Sequence, residues 1–345
     1  MQPFLFMQKP VGCGEEGEKR MISHVLSAAQ FSRGELDELF DRADWFRSFA
    51  DRKGNIPEEL RHRTVALLFY EPSTRTRMSF ELAAKYLGAT VVGTEAAGMF
   101  SSAAKGETIE DTVRVLEQYL VDAIVIRHKQ RGASHDAAQV STVPIINAGD
   151  GDGEHPTQAL LDLYTILQTV KRDQEVTITF CGDLEHSRTV RSLCRLLIRY
   201  ASGATNRFRL ILCSPRMIRL GEDIRQELAI AGIPFEEMSL LPRAMKQCDV
   251  FYQTRVQMER FGTGPDGQLT AEAKEAHRLV QERFRLSAYT ARFLKPHAIV
   301  LHPLPRVGEI ATDFDSDPRA RYFQQAGNGL YIRMALLCQL LPSDG

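Results

Sequence analysis

The chain has 345 residues, enough for two domains that each bury a core of their own. Its 43 Lys and Arg balance 44 Asp and Glu, so the net charge of −1 gives no reason to expect nucleic acid or an anionic membrane as partner. No apolar run approaches the ~20 residues of a membrane helix, and the patch Phe4 to Met7 is too short for a signal-peptide core.

Residues 1–28 carry no clear pattern. Ser32 and Glu35 then form a capping box, and Leu36, Leu39, Phe40, Ala43, Phe46 and Phe49 follow at helical spacing. Val65 to Tyr70 reads as a buried strand, broken by Pro72. A helical pattern comes next, with Met78, Leu82, Tyr86 and Leu87 on one face and Gly88 as its C-cap. Between strand and helix lie Ser73, Thr74, Arg75, Thr76 and Arg77. A helix N-terminus offers unpaired N–H groups and the positive end of the dipole. Cations placed there oppose the dipole by ~0.3–1 kcal/mol each, which makes sense if an anion is the missing partner. The hydroxyls and guanidinium groups of this turn therefore predict a phosphate cradle without the glycines of a P-loop. Simple capping by Ser73 and Thr74 is the plainer alternative.

A short strand near Thr90 to Gly93 precedes Thr94–Gly106, a small-residue stretch without periodicity that reads as a surface loop and carries Ser101 and Lys105. A helix from about Glu107 to Leu120, with Ile109, Val113, Leu116 and Leu120 on one side, leads into a strand ending at Arg127. Val143 to Asn147 closes a first β/α block. His155 opens a long helix whose apolar face is Leu160, Leu161, Tyr164 and Leu167. A second series has strands at Val176–Cys181, Phe208–Cys213, near Phe235, at Val250–Gln253 and at Ala298–Leu301. Helices from about Ser187, Gly221 and Leu241 separate them. The last helix, Gly329 to Leu341, is apolar on most sides and must bury itself, with the first domain as its expected support. The expected fold is α/β: two doubly wound domains, each a parallel sheet flanked by helices. Ligands of such sheets sit beyond the carboxyl ends of the strands, where Arg75, Arg127 and the stretch after Asn147 fall.

His155 and Gln158 share a helix face; His155 could donate to a developing oxyanion as a neutral imidazole, or merely cap the helix. Arg188 opens a helix against the dipole, which suits an anion or a solvated side chain. Arg255 and Gln257, two apart beyond a strand, suit a carboxylate. The prolines of HPLPR, from His302 to Arg306, stiffen a backbone whose carbonyls could accept N–H groups, or form a plain rigid loop. Six scattered cysteines without a CxxC pair argue against a zinc site and for a reducing cytoplasm. No metal or organic cofactor is expected.

These motifs occur in a telling order. STRTR at Ser73, KGET at Lys105, VIRH around Arg127, HPTQ, GDL with Arg188, TRVQ and HPLPR together resemble the aspartate and ornithine carbamoyltransferase family, over roughly residues 20–342. The match is to the aspartate branch: the ornithine branch carries HCLP where this chain has HPLP, and Arg255 would repel a cationic side chain. The resemblance implies transfer of the carbamoyl group of carbamoyl phosphate to the amine of L-aspartate, an early step of pyrimidine synthesis. It implies a carbamoyl phosphate domain of residues 1–156 plus 329–345 and an aspartate domain of residues 157–328. It places Ser73, Thr74, Arg75, Thr76 and Arg127 on the phosphate and Arg75, Thr76 and His155 on the carbonyl oxygen. Gln158 and the Leu304 and Pro305 backbone would hold the carbamoyl amine, and Arg188, Arg255 and Gln257 the aspartate carboxylates. Ser101 and Lys105 would enter from the neighbouring subunit of a homotrimer, Lys105 reaching both substrates. A separate regulatory chain is compatible with the resemblance, as is a catalytically silent scaffold. The chain departs from bacterial relatives in a longer stretch from Gly262 to about His277, in Ala104 for a lysine, and in Gly308 for an Asp or Asn.

Overall fold

The computed structural model describes residues 23–51, 54–95, 106–170, 174–202, 208–257 and 270–341. The first block forms β1 (Thr64–Phe69), β2 (Thr90–Glu95), β3 (Ala123–His128) and β4 (Ile145–Asp150), in the spatial order β2-β1-β3-β4. Every pairing is parallel. Helices α1 (Arg33–Asp51), α2 (Thr74–Tyr86), α3 (Ile109–Gln118) and α4 (Ala133–Val140) accompany it. The inner strands read as nearly unbroken apolar runs because both faces of a parallel sheet are covered. The capping box at Ser32 and Glu35 forms: the Ser32 N–H donates to Glu35 and the Glu35 N–H to the Ser32 hydroxyl.

The second sheet is also parallel, with β5 (Val176–Cys181), β6 (Phe208–Cys213), β7 (Phe235–Met238), β8 (Val250–Gln253) and β9 (Ile299–Leu301) in the order β7-β6-β5-β8-β9. Its helices between strands are α6 (Arg188–Ala201), α7 (Glu222–Ile230), α8 (Leu241–Gln247) and α9 (Ala271–Arg283). In each sheet the winding starts at a central strand and reverses, at β1/β3 and at β5/β8. These reversals leave crevices at the carboxyl ends, where loops diverge.

Two helices join the halves. α5 (Pro156–Thr169) is buried on nearly every side, through Ala159, Leu160, Leu161, Leu163, Tyr164 and Ile166. Those residues share one continuous core with β1, β3, β5, β6 and β8. α10 (Tyr322–Leu340) packs on α1, α2 and α5, as its all-round apolarity requires. It begins earlier than the apolar pattern suggests and runs straight through Gly327 and Gly329. Gly329 marks close packing rather than a helix start: an added Cβ would strike the Arg333 guanidinium and meet Leu161 Cδ2 at 3.1 Å.

Two expectations about buried faces change. α2 buries Phe80, Ala83 and Ala84, whereas Met78, Leu82 and Tyr86 point outward, Met78 being 51% exposed. The small alanines let the helix lie close to its neighbours, and the larger stripe is left on the surface. Leu120 lies beyond the end of α3 at φ 60° and is exposed, while Val113 is buried. No described helix is long and apolar enough to cross a membrane.

Because α10 fills the core that both halves share, Leu336→Ala, at a fully buried position, is expected to cost about 2–5 kcal/mol. Urea unfolding checks this; a loss below about 1 kcal/mol would show that α10 contributes little to the core.

Candidate functional site

The carboxyl ends of β1, β3, β4, β5, β8 and β9 face one cleft of about 370 Å³. Arg75, Arg127, Arg188, Arg255 and Arg333 line it, against the carboxylates of Glu71 and Asp152. The cleft is thus strongly cationic inside a chain of almost no net charge.

Ser73 caps α2 with extended backbone, but its hydroxyl makes no capping hydrogen bond. It lines the cleft with Arg75 and Thr76, which disfavours simple capping for Ser73. Thr74 is exposed on the first turn and lies outside the cleft lining. Arg77 does not join the cradle. It turns to Glu81 and Glu95, at 3.6 and 3.5 Å. Burial and the neighbouring Arg127 charge lower the pKa of Arg75.

Arg127, at the carboxyl end of β3, is 7% exposed. It donates Nη1 to the Ala148 carbonyl at 3.2 Å and Nη2 to Glu71 Oε1 at 2.7 Å, while its Nε is buried with no partner. Gly149 makes this possible. At φ 119° it lets the guanidinium cross its Cα, where a Cβ would meet Arg127 Nη1 at 2.8 Å and the His155 ring at 3.4 Å.

His155 is the N-cap of α5 and is 5% exposed. Its N–H donates to Ser192 Oγ at 3.1 Å, and its buried Nδ1 has no partner. Burial first, then the charges of Arg188, Arg127 and Arg333, hold its pKa well below the usual histidine range. A neutral imidazole at pH 7 is the result. Gln158, on the first turn of α5, donates Nε2 to Asp162 Oδ1 at 2.8 Å.

From the second sheet, Ser187 caps α6 by accepting the Val190 N–H at 3.4 Å. That sets Arg188, which donates to the Gly151 carbonyl across the cleft and lies 3.9 Å from Glu71 Oε2. Burial is the main cause of its lowered pKa. Arg255 and Gln257 follow β8 as expected, and Gln257 donates to the His186 carbonyl at 3.0 Å. After β9, His302 is held by Glu309 at 2.7 Å and accepts the Leu304 N–H on Nδ1 at 2.7 Å. The Leu304–Pro305 peptide is cis, and both residues line the cleft. Gly308, in place of an Asp or Asn, adopts φ 100°. Ser101 and Lys105, and residues 262–269 of the longer stretch, lie outside the described residues, while its second half opens α9.

The residue patterns missed two charged groups. Glu71 bridges Arg127 and Arg188, and its only trace was a carboxylate between a strand and a proline. Arg333 lies in α10, buried at the floor of the cleft, with Nη2 3.3 Å from Thr157 Oγ1 and its guanidinium over the Phe80 ring. A lone arginine in an apolar helix was the signal to follow. Burial lowers its pKa to about 10. Among the described residues no cluster of His, Cys, Asp or Glu could hold a metal ion.

Comparison with known proteins covers nearly the whole chain. Residues 23–168 match the family described as aspartate/ornithine carbamoyltransferase, carbamoyl-P binding domain, and residues 174–340 match its Asp/Orn binding domain. Aspartate carbamoyltransferase 3, chloroplastic, of Pisum sativum is 44% identical over 96% of this chain and 81% of its own length. The aspartate carbamoyltransferase catalytic subunit of Vibrio cholerae is 41% identical over 92% of this chain and 96% of its own. Aspartate transcarbamoylase from Trypanosoma cruzi, solved with carbamoyl phosphate and aspartate, superposes with a TM-score of 0.80 at 36% identity, covering 92% of this chain and 95% of that one.

Glu71 occupies the arginines that an incoming anion needs. Glu71→Gln is therefore expected to tighten inorganic phosphate about three- to tenfold, the scale of roughly 1 kcal/mol for a partly exposed pair. Calorimetric titration measures it, and unchanged or weaker binding would mean that Glu71 does not compete with the anion.

Proposed function

The chain belongs to the aspartate/ornithine carbamoyltransferase family, and we propose that its cleft carries out the reaction of the aspartate branch with the arginines and His155 as its working groups. The enzyme transfers the carbamoyl group of carbamoyl phosphate to the amine of L-aspartate, giving N-carbamoyl-L-aspartate and phosphate. One observation carries the assignment of roles: five arginines, contributed by elements of both halves, line one cleft with the buried His155 at the strand ends. Two anionic substrates that must react repel each other, and cations on both sides offset that repulsion.

Ser73, Arg75, Thr76 and Arg127 hold the phosphate from the cleft wall, and Thr74, whose side chain is exposed, contributes at most its backbone N–H on the first turn of α2. The aspartate amine attacks the carbonyl carbon, and the oxyanion that forms is stabilised by Arg75, Thr76 and His155. Because His155 is neutral, it serves as a hydrogen-bond donor without a proton having to leave. The C–O bond to phosphate then breaks, and the departing phosphate takes the proton of the amine. Gln158 and the Leu304 and Pro305 carbonyls orient the carbamoyl NH2. Arg188, Arg255 and Gln257 hold the aspartate carboxylates, and a guanidinium fork suits them better than an ammonium would.

The working form is a homotrimer whose sites lie between subunits, with Ser101 and Lys105 supplied by the neighbour. The exposed stripe Met78, Leu82 and Tyr86 on α2, beside exposed Val92 of β2, supports this: a second copy would cover it. The four buried thiols, Cys181, Cys194, Cys213 and Cys248, fit a reducing compartment such as the cytoplasm.

Purified protein is expected to carbamoylate L-aspartate and leave L-ornithine essentially untouched; comparable rates would sink the substrate assignment. Arg255→Lys loses the fork, at ~1.5–3 kcal/mol per charge-assisted hydrogen bond, and should cost about tenfold or more in kcat/KM for aspartate. Carbamoyl phosphate affinity should barely move, and an equal loss for both substrates would contradict the role of Arg255. The shared site has its own test. Arg75→Ala and Lys105→Ala should each be nearly inactive, yet mixing, dissociating and reassembling them should restore activity. Each mixed head-to-tail trimer contains one interface with an intact cradle and an intact loop. If wild type survives that cycle and the mixture stays dead, each site is self-contained.

A further inference from the structure

Just beneath the cleft, Asp162 of α5 is fully enclosed and gathers side chains from three elements. Gln158 Nε2, one turn earlier on α5, and Gln325 Nε2, from α10, both donate to Oδ1, at 2.8 and 2.6 Å. The Tyr252 hydroxyl, from β8, donates to Oδ2 at 2.7 Å. An ionised carboxylate only accepts, so each glutamine must turn its NH2 towards Asp162. Each amide oxygen then points the other way. Gln325 Oε1 accepts the His302 N–H at 2.8 Å, which fixes the start of the His302–Pro305 stretch. Gln158 lines the cleft, and Oε1 is the amide atom left for it.

We infer that Asp162 is a positioning residue that sets the site's preference for an amine on the carbonyl carbon of the phosphorylated substrate. By holding both NH2 groups, it aims the Gln158 oxygen, and through Gln325 and His302 the Leu304 and Pro305 backbone, at the substrate N–H groups. The inference deepens the proposed reaction and rests on it. Burial raises the pKa of Asp162 to about 6, opposed by the hydrogen bonds from Gln325, Tyr252 and Gln158 and by the charge of Arg333. Above that pH it is the acceptor-only form. A purely structural tie between α5, α10 and β8 would, when cut, loosen the cleft for every ligand. Positioning of the two amides affects only ligands with an amine to recognise.

Three probes at pH 8 separate these: carbamoyl phosphate, acetyl phosphate (a methyl in place of the amine) and inorganic phosphate, each titrated into the full-length protein. Sites built to hydrogen-bond a group discriminate against analogues that lack it. Asp162→Ala is expected to reduce the preference for carbamoyl over acetyl phosphate by about fivefold or more, with inorganic phosphate within about twofold of wild type. Asp162→Asn keeps a carbonyl oxygen for both glutamines, and its NH2 can donate to Tyr252. It should retain the preference within about twofold, and it keeps the question decidable should the alanine variant fail to fold. Equal losses for all three probes, an unchanged preference in Asp162→Ala, or a lost preference in Asp162→Asn would each overturn the inference. A wild type that carbamoylates aspartate yet shows no preference between the acyl phosphates overturns it alone. One that carbamoylates nothing overturns the reaction beneath it.

Discussion

Mutual repulsion among guanidinium groups is the constraint that the rest of this structure answers. Two unit charges 4 Å apart repel by about 4 kcal/mol at an effective dielectric of 20, and five arginines line this cleft. The fold tolerates them by distributing acceptors. Glu71 lies between Arg127 and Arg188, the Ala148 and Gly151 carbonyls each take a guanidinium N–H, and Thr157 lies against Arg333. None of these partners neutralises the cleft completely. The residual positive potential is what an anionic substrate meets.

The same potential decides the state of His155. A histidine at a helix N-terminus beside three guanidinium groups, with Nδ1 buried and unpartnered, has every reason to shed its proton. Cations that recruit the substrate therefore also prepare the group that responds to its chemistry. A single electrostatic arrangement thus serves binding and the chemical step.

Much of this was legible in the sequence, for physical reasons. Fully buried parallel strands leave unbroken apolar runs, and helix-opening arginines such as Arg75 and Arg188 contradict the dipole visibly. Strand-end position was enough to bring Arg127, His155, Gln158, Arg255 and Leu304 to one place. Other features were not legible. Met78, Leu82 and Tyr86 look like a core face because periodicity reports apolarity, not what covers it. Arg77 looks like a second cradle arginine until Glu95, distant in sequence, claims it. Asp162 and Gln325 take their meaning from each other across more than a hundred residues, and no local pattern joins them.

The all-round burial of α5 has a consequence for modularity. Two Rossmann-like halves suggest an ancestry of separable pieces, recombined by exchanging one half for another. Yet the helix that begins at His155 supplies core side chains to both sheets at once. A graft made at its start would ask the foreign half to fit Leu160, Leu161, Leu163 and Tyr164 without a void or a clash. Change in amino-acid preference is therefore easier by altering strand-end loops than by shuffling halves. The helix acts as a lock on the pairing of its two sheets.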